Sequence, residues 1–498
     1  MKISYSVIAL LLFVSIQTSF GQDQVNTFLQ RSYWKENPSI DQIKEDMTKG
    51  HSVFESNRHG FDATTYAILE KADLATVKFL IEQGNSVNKM THDARNYIFW
   101  AAYKGNIPLM KYLKKKGSDL KLIDQHGYSL LTFTAVTGQE DTQVYDFCLK
   151  NGSDLKGETN RDGANSLLLF LGRSGKKEIV NYFLEKGLSL QSKDASGNNA
   201  FNYAAKSGNL ETLKYLYDQG VKPVSNAVNG ENAIFFASRN SKNDLAYYQY
   251  IEGLGVDPNV TNKEGVTPLH NLASSIKNTE VISYFLAKGV DINAKNESGN
   301  TALISSSYRN NLEIITFLIE NGADINETNQ QGASALARAV RSNSLEVVDY
   351  LISKGADLNV IDKEGNNLAY YLIKSFRKGQ PDQFNDKLKL LTENGLDVKN
   401  KQKDGSTVFH IAVQGSSLDL LEILNTFEVD INAIDADGHT ALHYAAMKSN
   451  NDQMLKYLIS IGANTKIKTQ FDETAFDLAK ENELLTKNNI DINFLNEE

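Results

Sequence analysis

Apolar residues along this chain fall into pairs of short helical stretches, and the same pair recurs along most of the sequence. Residues 265–293 show the pattern in full. Leu269 and Ala273 are one helical turn apart, and Val281 and Phe285 are one turn apart in the stretch that follows. Such spacing places apolar side chains on one face of a helix. The segment therefore predicts two amphipathic helices joined by a turn.

The residues at the ends of these stretches are those that begin and end helices. Thr267 can cap the first helix, and Pro268 suits its first turn, where no backbone N–H is needed. Gly289 follows the second stretch, at a place where a left-handed residue commonly ends a helix. Each helix has only about ten residues and is too short to be stable alone. The stability of each pair must therefore come from stacking on its neighbours.

Glycine recurs in register with these helix pairs, about 34 residues apart, and such a period is typical of repeat proteins. The glycines that follow the second helices are Gly50, Gly84, Gly117, Gly152, Gly187, Gly220, Gly255, Gly289, Gly322, Gly355, Gly395 and Gly462, with Glu428 in one such place. A second series, roughly ten residues after the first, is Gly127, Gly163, Gly197, Gly230, Gly265, Gly299, Gly332, Gly365, Gly405 and Gly438.

The motifs around these glycines resemble those of ankyrin-repeat proteins. The best matches are Gly265-Val266-Thr267-Pro268-Leu269-His270, Gly289-Val290-Asp291-Ile292-Asn293, Gly322-Ala323-Asp324-Ile325-Asn326, Gly355-Ala356-Asp357-Leu358-Asn359 and residues 438–446. The resemblance implies an all-α solenoid of stacked helix–turn–helix units with loop or β-hairpin fingers. It assigns about twelve repeats to residues 59–468. Residues 22–58 and 469–498 are then degenerate capping repeats.

The resemblance also implies structural roles for three histidines. His270, His410 and His443 occupy the histidine place of the motif and are expected to bond neighbouring backbone and lock repeats together. The first half of the chain departs from the pattern at this place. The residues found there are Phe99, Thr132, Asn202 and Phe235. The fold is still expected in that half, with less defined helix ends.

One interval between glycines is longer than the others. The stretch from Gly355 to Gly395 contains extra residues near 376–386, and Gly379, Gln380 and Pro381 indicate a loop between the two helices of that repeat. The loop could bind a ligand. Equally, it could be a tolerated insertion, because long surface loops add little to the entropy of chain closure.

Residues 1–21 are predicted to be a cleaved signal peptide. Lys2 precedes an apolar run over residues 7–16 that is too short to span a bilayer, and small residues stand before Gln22. The alternative is an uncleaved anchor. Cleavage predicts an exported protein, periplasmic in a Gram-negative bacterium and otherwise secreted, with no membrane span in the mature chain.

Composition narrows the classes of function. The chain has 52 basic and 61 acidic residues and a formal net charge of −9. That balance argues against general nucleic-acid binding, which needs a basic footprint. Cys148 is the single cysteine, so intramolecular disulfides and cysteine-based zinc sites are excluded.

Candidate chemistry is sparse. No nucleophile elbow, phosphate loop or dinucleotide fingerprint occurs, so no catalytic residue, cofactor or metal is assigned. His439 and His443 have a metal-like spacing, but structural zinc needs four ligands. A hydrolytic site built on the insertion at residues 376–386 is the alternative to a non-catalytic function.

Basic residues are concentrated at one repeat position. In ankyrin folds the last residues of the first helix face the concave groove, and this place is rich in Lys and Arg here. The predicted partner-binding row, called the cation row below, consists of Lys71, Lys104, Arg173, Lys206, Arg239, Tyr308, Arg309, Arg341, Lys374 and Lys448. Cations are also favoured at helix C-termini for reasons unrelated to binding, so both interpretations stay open.

These features predict an exported interaction protein that binds an acidic surface of another protein through its concave face. Three roles are compatible with that prediction. They are an inhibitor or immunity protein for a secreted toxin, a helper of an envelope enzyme, and an effector acting on a host. The sequence does not rank them.

Overall fold

The computed structural model describes residues 26–226, 228–309 and 311–496. The predicted signal peptide lies outside these residues. The described part is helical, and within it no β-strand occurs, so the predicted all-α class is confirmed. In the same residues, no helix has the combination of length and apolar character needed to cross a membrane.

The described chain forms two compact units. One contains the residues up to 170 together with 181–188, and the other contains 171–180 together with 189–496. The helices of the first unit are Arg31–Lys35, Ile40–Thr48, Ala63–Leu69, Leu74–Glu82, Tyr97–Tyr103, Ile107–Lys115, Leu130–Val136 and Thr142–Lys150. Ser166–Leu171 and Lys177–Glu185 have residues in both units.

The second unit continues the alternation of first and second helices. Its helices are Ala200–Ser207, Leu210–Asp218, Ala233–Ser238, Leu245–Gly253, Pro268–Ala273, Thr279–Ala287, Ala302–Ser306, Leu312–Glu320, Ala335–Ser342, Leu345–Ser353, Leu368–Ile373, Pro381–Glu393, Val408–Gln414, Leu418–Leu424, Ala441–Lys448, Gln453–Ser460, Ala475–Glu481 and Glu483–Lys487. Single 3-10 turns occupy Thr27–Leu29, His92–Ala94, Asn425–Phe427 and Asn493–Leu495. Within each unit, first helices pack on the first helix of the next pair.

Polar caps set the helix boundaries. The Ser334 hydroxyl accepts a hydrogen bond from the Ala337 N–H at 3.2 Å, and the Asn209 side chain accepts one from the Thr212 N–H at 3.0 Å. Each satisfies a backbone donor that has no partner inside its helix. At the other end, Gly355 adopts φ = 89° after Leu345–Ser353, a conformation that glycine reaches without a steric penalty.

The core lies between the helix layers, and small residues allow the first helices to approach one another. Ala335, Ala337 and Ala339 are fully buried. Larger side chains fill the second layer, where the rings of Tyr248 and Phe285 meet edge to face at 5.1 Å. Burying one large apolar side chain stabilises a fold by about 1.5–3 kcal/mol. This burial explains how helices of only one or two turns persist.

The predicted β-hairpin fingers are turns rather than strands. Only isolated antiparallel bridges occur in them within the described residues, such as that between Thr328 and Ser334. Successive fingers are joined by single backbone bonds, for example Lys363 N–H to the Gln331 carbonyl at 2.8 Å. The fingers are closely packed, because a Cβ built on Gly332 would lie 2.8 Å from the Asp362 Cα.

Asparagine side chains clamp neighbouring fingers together. Asn326 donates from Nδ2 to the Gly355 carbonyl at 3.2 Å and accepts from the Asp357 N–H at 2.9 Å. Asn293 makes the same pair of bonds, to Gly322 and Asp324, one repeat earlier. Each clamp satisfies a glycine carbonyl at the end of a second helix, so it joins the end of one repeat to the finger of the one before.

The long interval near residues 376–386 differs from the expected loop. Residues 374–380 form the turn, but the following helix begins at Pro381 and runs to Glu393. It has 13 residues, where the second helix Leu345–Ser353 has 9. Pro381 is suited to the first turn of a helix because its missing N–H has no intrahelical role. About half of the insertion has therefore become helix, which correspondingly shortens the predicted loop.

Candidate partner-binding surface

The structure places every residue of the cation row at the C-terminal end of a first helix or within three residues of it. In the first unit, Lys104 caps Tyr97–Tyr103, and Lys71 follows Ala63–Leu69 with φ = 61°. In the second unit, Lys374 caps Leu368–Ile373, and Lys448 is the last residue of Ala441–Lys448. Equivalent repeat positions therefore bring each unit's cations to the same end of its first helices.

Repulsion between row cations is evident around Lys206 in the second unit. Burial lowers the pKa of Lys206, and the positive charges of Arg239 and Arg173 lower that pKa further. A carboxylate beside Lys206 would act in the opposite sense, since an opposite charge favours the ammonium. The charges of these three side chains therefore act on one another at this point of the row.

A second group of row cations behaves in the same way. Burial is the largest cause that lowers the pKa of Lys374, and Arg341 and Lys448 lower it further. None of these three side chains forms an ion pair with a described carboxylate. The group therefore lacks an internal counter-charge.

In the first unit, side chains of both charges affect the pKa of Lys104. Burial and then Lys71 lower the pKa of Lys104, while Glu70 raises it. Glu70 itself bonds to the Arg31 guanidinium. Part of the positive charge near Lys104 is thus compensated within the unit.

Arg239 is the one row residue with a counter-ion among the described side chains. Its guanidinium lies 2.7 Å from the carboxylate of Glu231, which is 4 % exposed, and stacks over the Phe236 ring at 4.8 Å. Sequence reasoning treated Arg239 as equivalent to the other row cations. The structure shows that its charge is partly neutralised.

Tyr308 and Arg309 form a composite surface in the second unit. Tyr308 is 39 % exposed, and the Arg309 guanidinium lies 4.8 Å from its ring centre. A cation over an aromatic face contributes about 0.5–1 kcal/mol at an exposed site. The pair thus presents charge and apolar area together, as residues at binding surfaces often do.

A cavity of about 590 Å³ lies in the second unit beside the end of the row. Lys448 lines it, as do Phe376 and Lys378 of the long turn. Gly415 also lines it, at a row position where the chain offers no side chain. Sequence reasoning did not predict this cavity, because its walls come from residues more than one repeat apart.

The titratable groups in the cavity do not form the constellation that a hydrolase needs. They are Lys378, Asp419 and Lys448. A hydrolytic site needs a nucleophile next to a base, or a pair of carboxylates. The described lining contains neither histidine nor a second carboxylate.

The three motif histidines bridge consecutive repeats, as the resemblance implied. Each accepts at Nδ1 from the N–H of the threonine three residues earlier. Each also bonds through Nε2 to a carbonyl of the next repeat, those of Asn300, His439 and Ile467, at 2.9–3.1 Å. A backbone N–H only donates and a carbonyl only accepts, so Nε2 carries the proton. These hydrogen bonds therefore require the imidazole rings of all three histidines to be neutral.

Asn202 shows how a departure from the motif is accommodated. It stands in the histidine place, and its Nδ2 donates to the Val224 carbonyl at 2.9 Å. The Asn202 Oδ1 accepts from the Val224 N–H at 3.3 Å. The shorter asparagine side chain thus also joins its own repeat to the next one, as the histidines do elsewhere.

One group of side chains resembles a metal site. Asp435, Asp437 and His439 bring one ligand atom each to within 4.8 Å of one another. Both Asp435 oxygens already accept hydrogen bonds, Oδ1 from the N–H groups of Asp437 and His439 and Oδ2 from the Tyr444 hydroxyl. These contacts are those of an Asx turn at a finger.

Comparison with known families supports the repeat pattern. A family model described as ankyrin repeats in three copies matches residues 135–227, 234–329 and 380–469, and a second ankyrin-repeat model matches residues 307–352. Together the matches cover more than half of the chain. The chain belongs to the ankyrin-repeat family.

Curated ankyrin relatives match shorter parts of the chain. An ankyrin repeat protein of Variola virus is 32% identical over 114 residues, which are 22% of this chain and 20% of the relative. Alpha-latrotoxin-Lg1a of Latrodectus geometricus is 33% identical over 100 residues, 20% of this chain and 7% of the toxin. The Notch-regulated ankyrin repeat-containing protein of Homo sapiens is 32% identical over 87 residues, 18% of this chain and 75% of that protein. The chain thus spans a fifth or less of the first two relatives.

Ankyrin repeats are protein–protein interaction modules, and the family generally serves as a non-enzymatic scaffold. The all-α ankyrin solenoid that the motif resemblance implied is confirmed. A protein partner follows from family membership.

Proposed function

We propose that this protein is an exported, non-catalytic ankyrin module that binds an acidic surface of another protein through its cation row. The observation that carries the proposal is the placement of Arg341, Lys374 and Lys448 at the ends of first helices of one unit, with no ion pair to a described carboxylate. Burial, Arg341 and Lys448 together lower the pKa of Lys374. Like charges held close together without a counter-ion destabilise the free protein. An acidic partner surface would relieve that repulsion on binding.

The general preference of cations for helix C-termini does not by itself explain why the row cations lie near one another. A cation at a helix C-terminus needs only the carbonyls of its own helix, so it does not need to lie near cations of other repeats. Lys206 is influenced by Arg239 and Arg173, which follow the ends of the neighbouring first helices. The grouping of cations across repeats therefore favours a shared anionic ligand.

The role proposed for the complex is that of an inhibitor or immunity protein, or a helper of an envelope enzyme. Both need a stable complex and no chemistry on the ankyrin side. The apolar run over residues 7–16 supports export and a periplasmic or secreted location. N-terminal sequencing of protein from its native host tests this part, and retention of Met1 on the exported protein would contradict it.

The binding test compares two charge-reversed variants of the mature chain. Arg309→Glu with Arg341→Glu changes the row. Lys214→Glu with Lys354→Glu makes the same change of net charge within one second helix and just after another. Partners captured from an envelope extract by the wild type should be lost by the row variant and retained by the control. Association should also slow as salt increases, because electrostatic steering is screened. Equal capture and equal salt dependence for all three proteins would eliminate the row.

A further inference from the structure

The cavity in the second unit has a mixed lining, and its apolar side chains come from distant parts of the chain. Phe376 comes from the long turn, and its ring packs edge-on against Phe384 at 5.4 Å. Met454 and Leu484 contribute further apolar lining, and Leu484 remains 49 % exposed. These apolar side chains stand among convergent polar groups, a combination that ligand pockets use to fix orientation.

The charged part of the lining consists of two lysines and one carboxylate. Lys378 and Lys448 both line the cavity, and neither forms an ion pair with a described carboxylate. Asp419 is the one carboxylate in the described lining. The hydroxyl of Ser416 and the amide of Asn450 add neutral hydrogen-bonding groups. The cavity thus offers apolar area next to uncompensated positive charge.

The size and location of the cavity suit a short piece of chain. Its volume of about 590 Å³ lies within the usual range for ligand pockets and has room for about three or four residues. It begins where the row lacks a side chain, at Gly415, and Lys448 belongs to both the row and the cavity. The row and the cavity therefore adjoin at Lys448.

We propose that this cavity is an anchor pocket for a short acidic segment of the partner that carries a large apolar side chain. The apolar side chain enters between Phe376, Met454 and Leu484. Flanking carboxylates meet Lys378 and Lys448. The inference rests on the proposed function, because the row must attract the same acidic partner, but it adds a requirement for apolar character that the row alone does not impose.

Two labelled pentapeptides serve as probes for the pocket. In the first, glutamates alternate with phenylalanine and leucine, and in the second, serine replaces both apolar residues at unchanged charge. Fluorescence anisotropy measures both dissociation constants with the mature chain. The wild type should bind the first probe about tenfold more tightly, as burial of a large apolar side chain predicts.

Two leucine variants test whether the pocket causes the preference for the apolar probe. Leu484→Asp changes the pocket wall, while Leu345→Asp is a matched control at another exposed leucine in the first turn of a second helix. The tenfold preference should disappear in Leu484→Asp and remain in Leu345→Asp. If the Leu484→Asp variant is unfolded by circular dichroism, Met454→Gln replaces it. A preference that survives a change in the pocket wall would overturn the proposal.

A spectroscopic measurement places the probe directly. The chain has six methionines, so methyl-labelled methionine gives few NMR signals, and Met454→Leu assigns the one in the pocket. The first probe should shift the Met454 signal and leave that of Met110 unchanged.

The outcomes separate the pocket from the row. If the wild type binds both probes equally and Arg309→Glu with Arg341→Glu weakens both, the pocket proposal is wrong and the row stands. If neither probe binds, and the row variant leaves partner capture unchanged, both proposals are wrong. A preference lost only in Leu484→Asp, with a shifted Met454 signal, supports the pocket.

Discussion

The ammonium group of Lys387 donates a hydrogen bond of 3.0 Å to the backbone carbonyl of Val340. Val340 lies near the C-terminal end of Ala335–Ser342, where carbonyls have no partner inside the helix. Lys387 is only 7 % exposed and occupies the repeat position that Val347 holds in the preceding repeat. A buried cation thus satisfies a carbonyl across the interface, and burial lowers the pKa of Lys387 to about 8.

Replacing Lys387 should therefore change how stability depends on pH. The folded pKa is below the ordinary value near 10.4, so between these values only the unfolded state binds the proton. The group's contribution to stability should increase by roughly 3 kcal/mol as pH rises from 8 to about 10.5. Denaturant unfolding of wild type and Lys387→Met across that range tests this. Parallel curves for the two proteins would contradict the assignment.

The bridging histidines should make the array sensitive to acid. Burial is the largest cause that lowers the pKa of His443, and protonation would abolish the acceptor at Nδ1. Because the folded pKa is depressed, the stabilisation is complete above about pH 6.5 and is lost as pH falls through the folded pKa. His443→Ala should lower the free energy of unfolding by about 1–3 kcal/mol at pH 8.

His443→Asn provides the control for that prediction. Asn202 makes the equivalent bridge, so the asparagine variant should retain more stability than His443→Ala. It should also lose less stability between pH 7 and pH 5 than the wild type, since an amide does not titrate. A variant with the acid sensitivity of the wild type would show that other groups dominate.

Two tyrosines at the same repeat position should respond differently to removal of the hydroxyl. Tyr284 donates from Oη to Glu252 of the preceding repeat at 3.1 Å. The Tyr350 hydroxyl is buried without a hydrogen-bond partner in the described structure, because Ile319 stands where Glu252 stands. Tyr284→Phe should cost about 1–2 kcal/mol of unfolding free energy, and Tyr350→Phe should be neutral or stabilising. Equal losses would refute the distinction.

Two finger asparagines offer a similar comparison. Asn326 clamps Gly355, whereas the side chain of Asn359 makes no such bond to Gly395 in the described structure. Asn326→Ala should lower the free energy of unfolding by about 1 kcal/mol. Asn359→Ala should change it by less than about 0.5 kcal/mol, as surface substitutions usually do. Chemical denaturation of both variants measures the difference.

The crowding of row cations can be measured without a partner. Arg341→Gln combined with Lys448→Gln removes the two charges that lower the pKa of Lys374. The pKa of Lys374 should then rise, and NMR titration of carbon-labelled lysine side chains reports it. Lys214→Gln with Lys354→Gln is the control and should leave that pKa unchanged. An unchanged value in the row variant would leave burial as the sole cause.

The fold could be predicted from sequence because its determinants are local and recur. Caps such as Thr267 and glycines such as Gly355 fix helix boundaries within a few residues, and repetition averages out irregular positions. The extension of the helix beginning at Pro381 was missed, because the preceding Gly379 and Gln380 favour a loop. The burial of Lys387 could have been predicted, since this lysine stands at a repeat position that is otherwise apolar.

The candidate site was less predictable because it depends on contacts between distant residues. The positions of the row cations at the ends of first helices follow from the repeat, while their role in binding stays a prediction. The neutralisation of Arg239 depends on Glu231, whose carboxylate is buried by the neighbouring finger. The cavity needs Phe376 and Leu484 to lie near one another, and no periodic pattern links those residues.

The asparagine clamps also bear on how the array can change in length during evolution. Asn293 and Asn326 bond groups that recur at the same place in the following repeat. A tandem gene duplication covering either repeat would recreate both donor and acceptor at the new junction. Duplication of residues 355–394 would instead copy a junction in which Asn359 makes no such bond. Asn88 and Asn432 form the same clamp. Gains and losses of repeats among descendants of this gene should therefore be more frequent at clamped junctions than at residues 355–394.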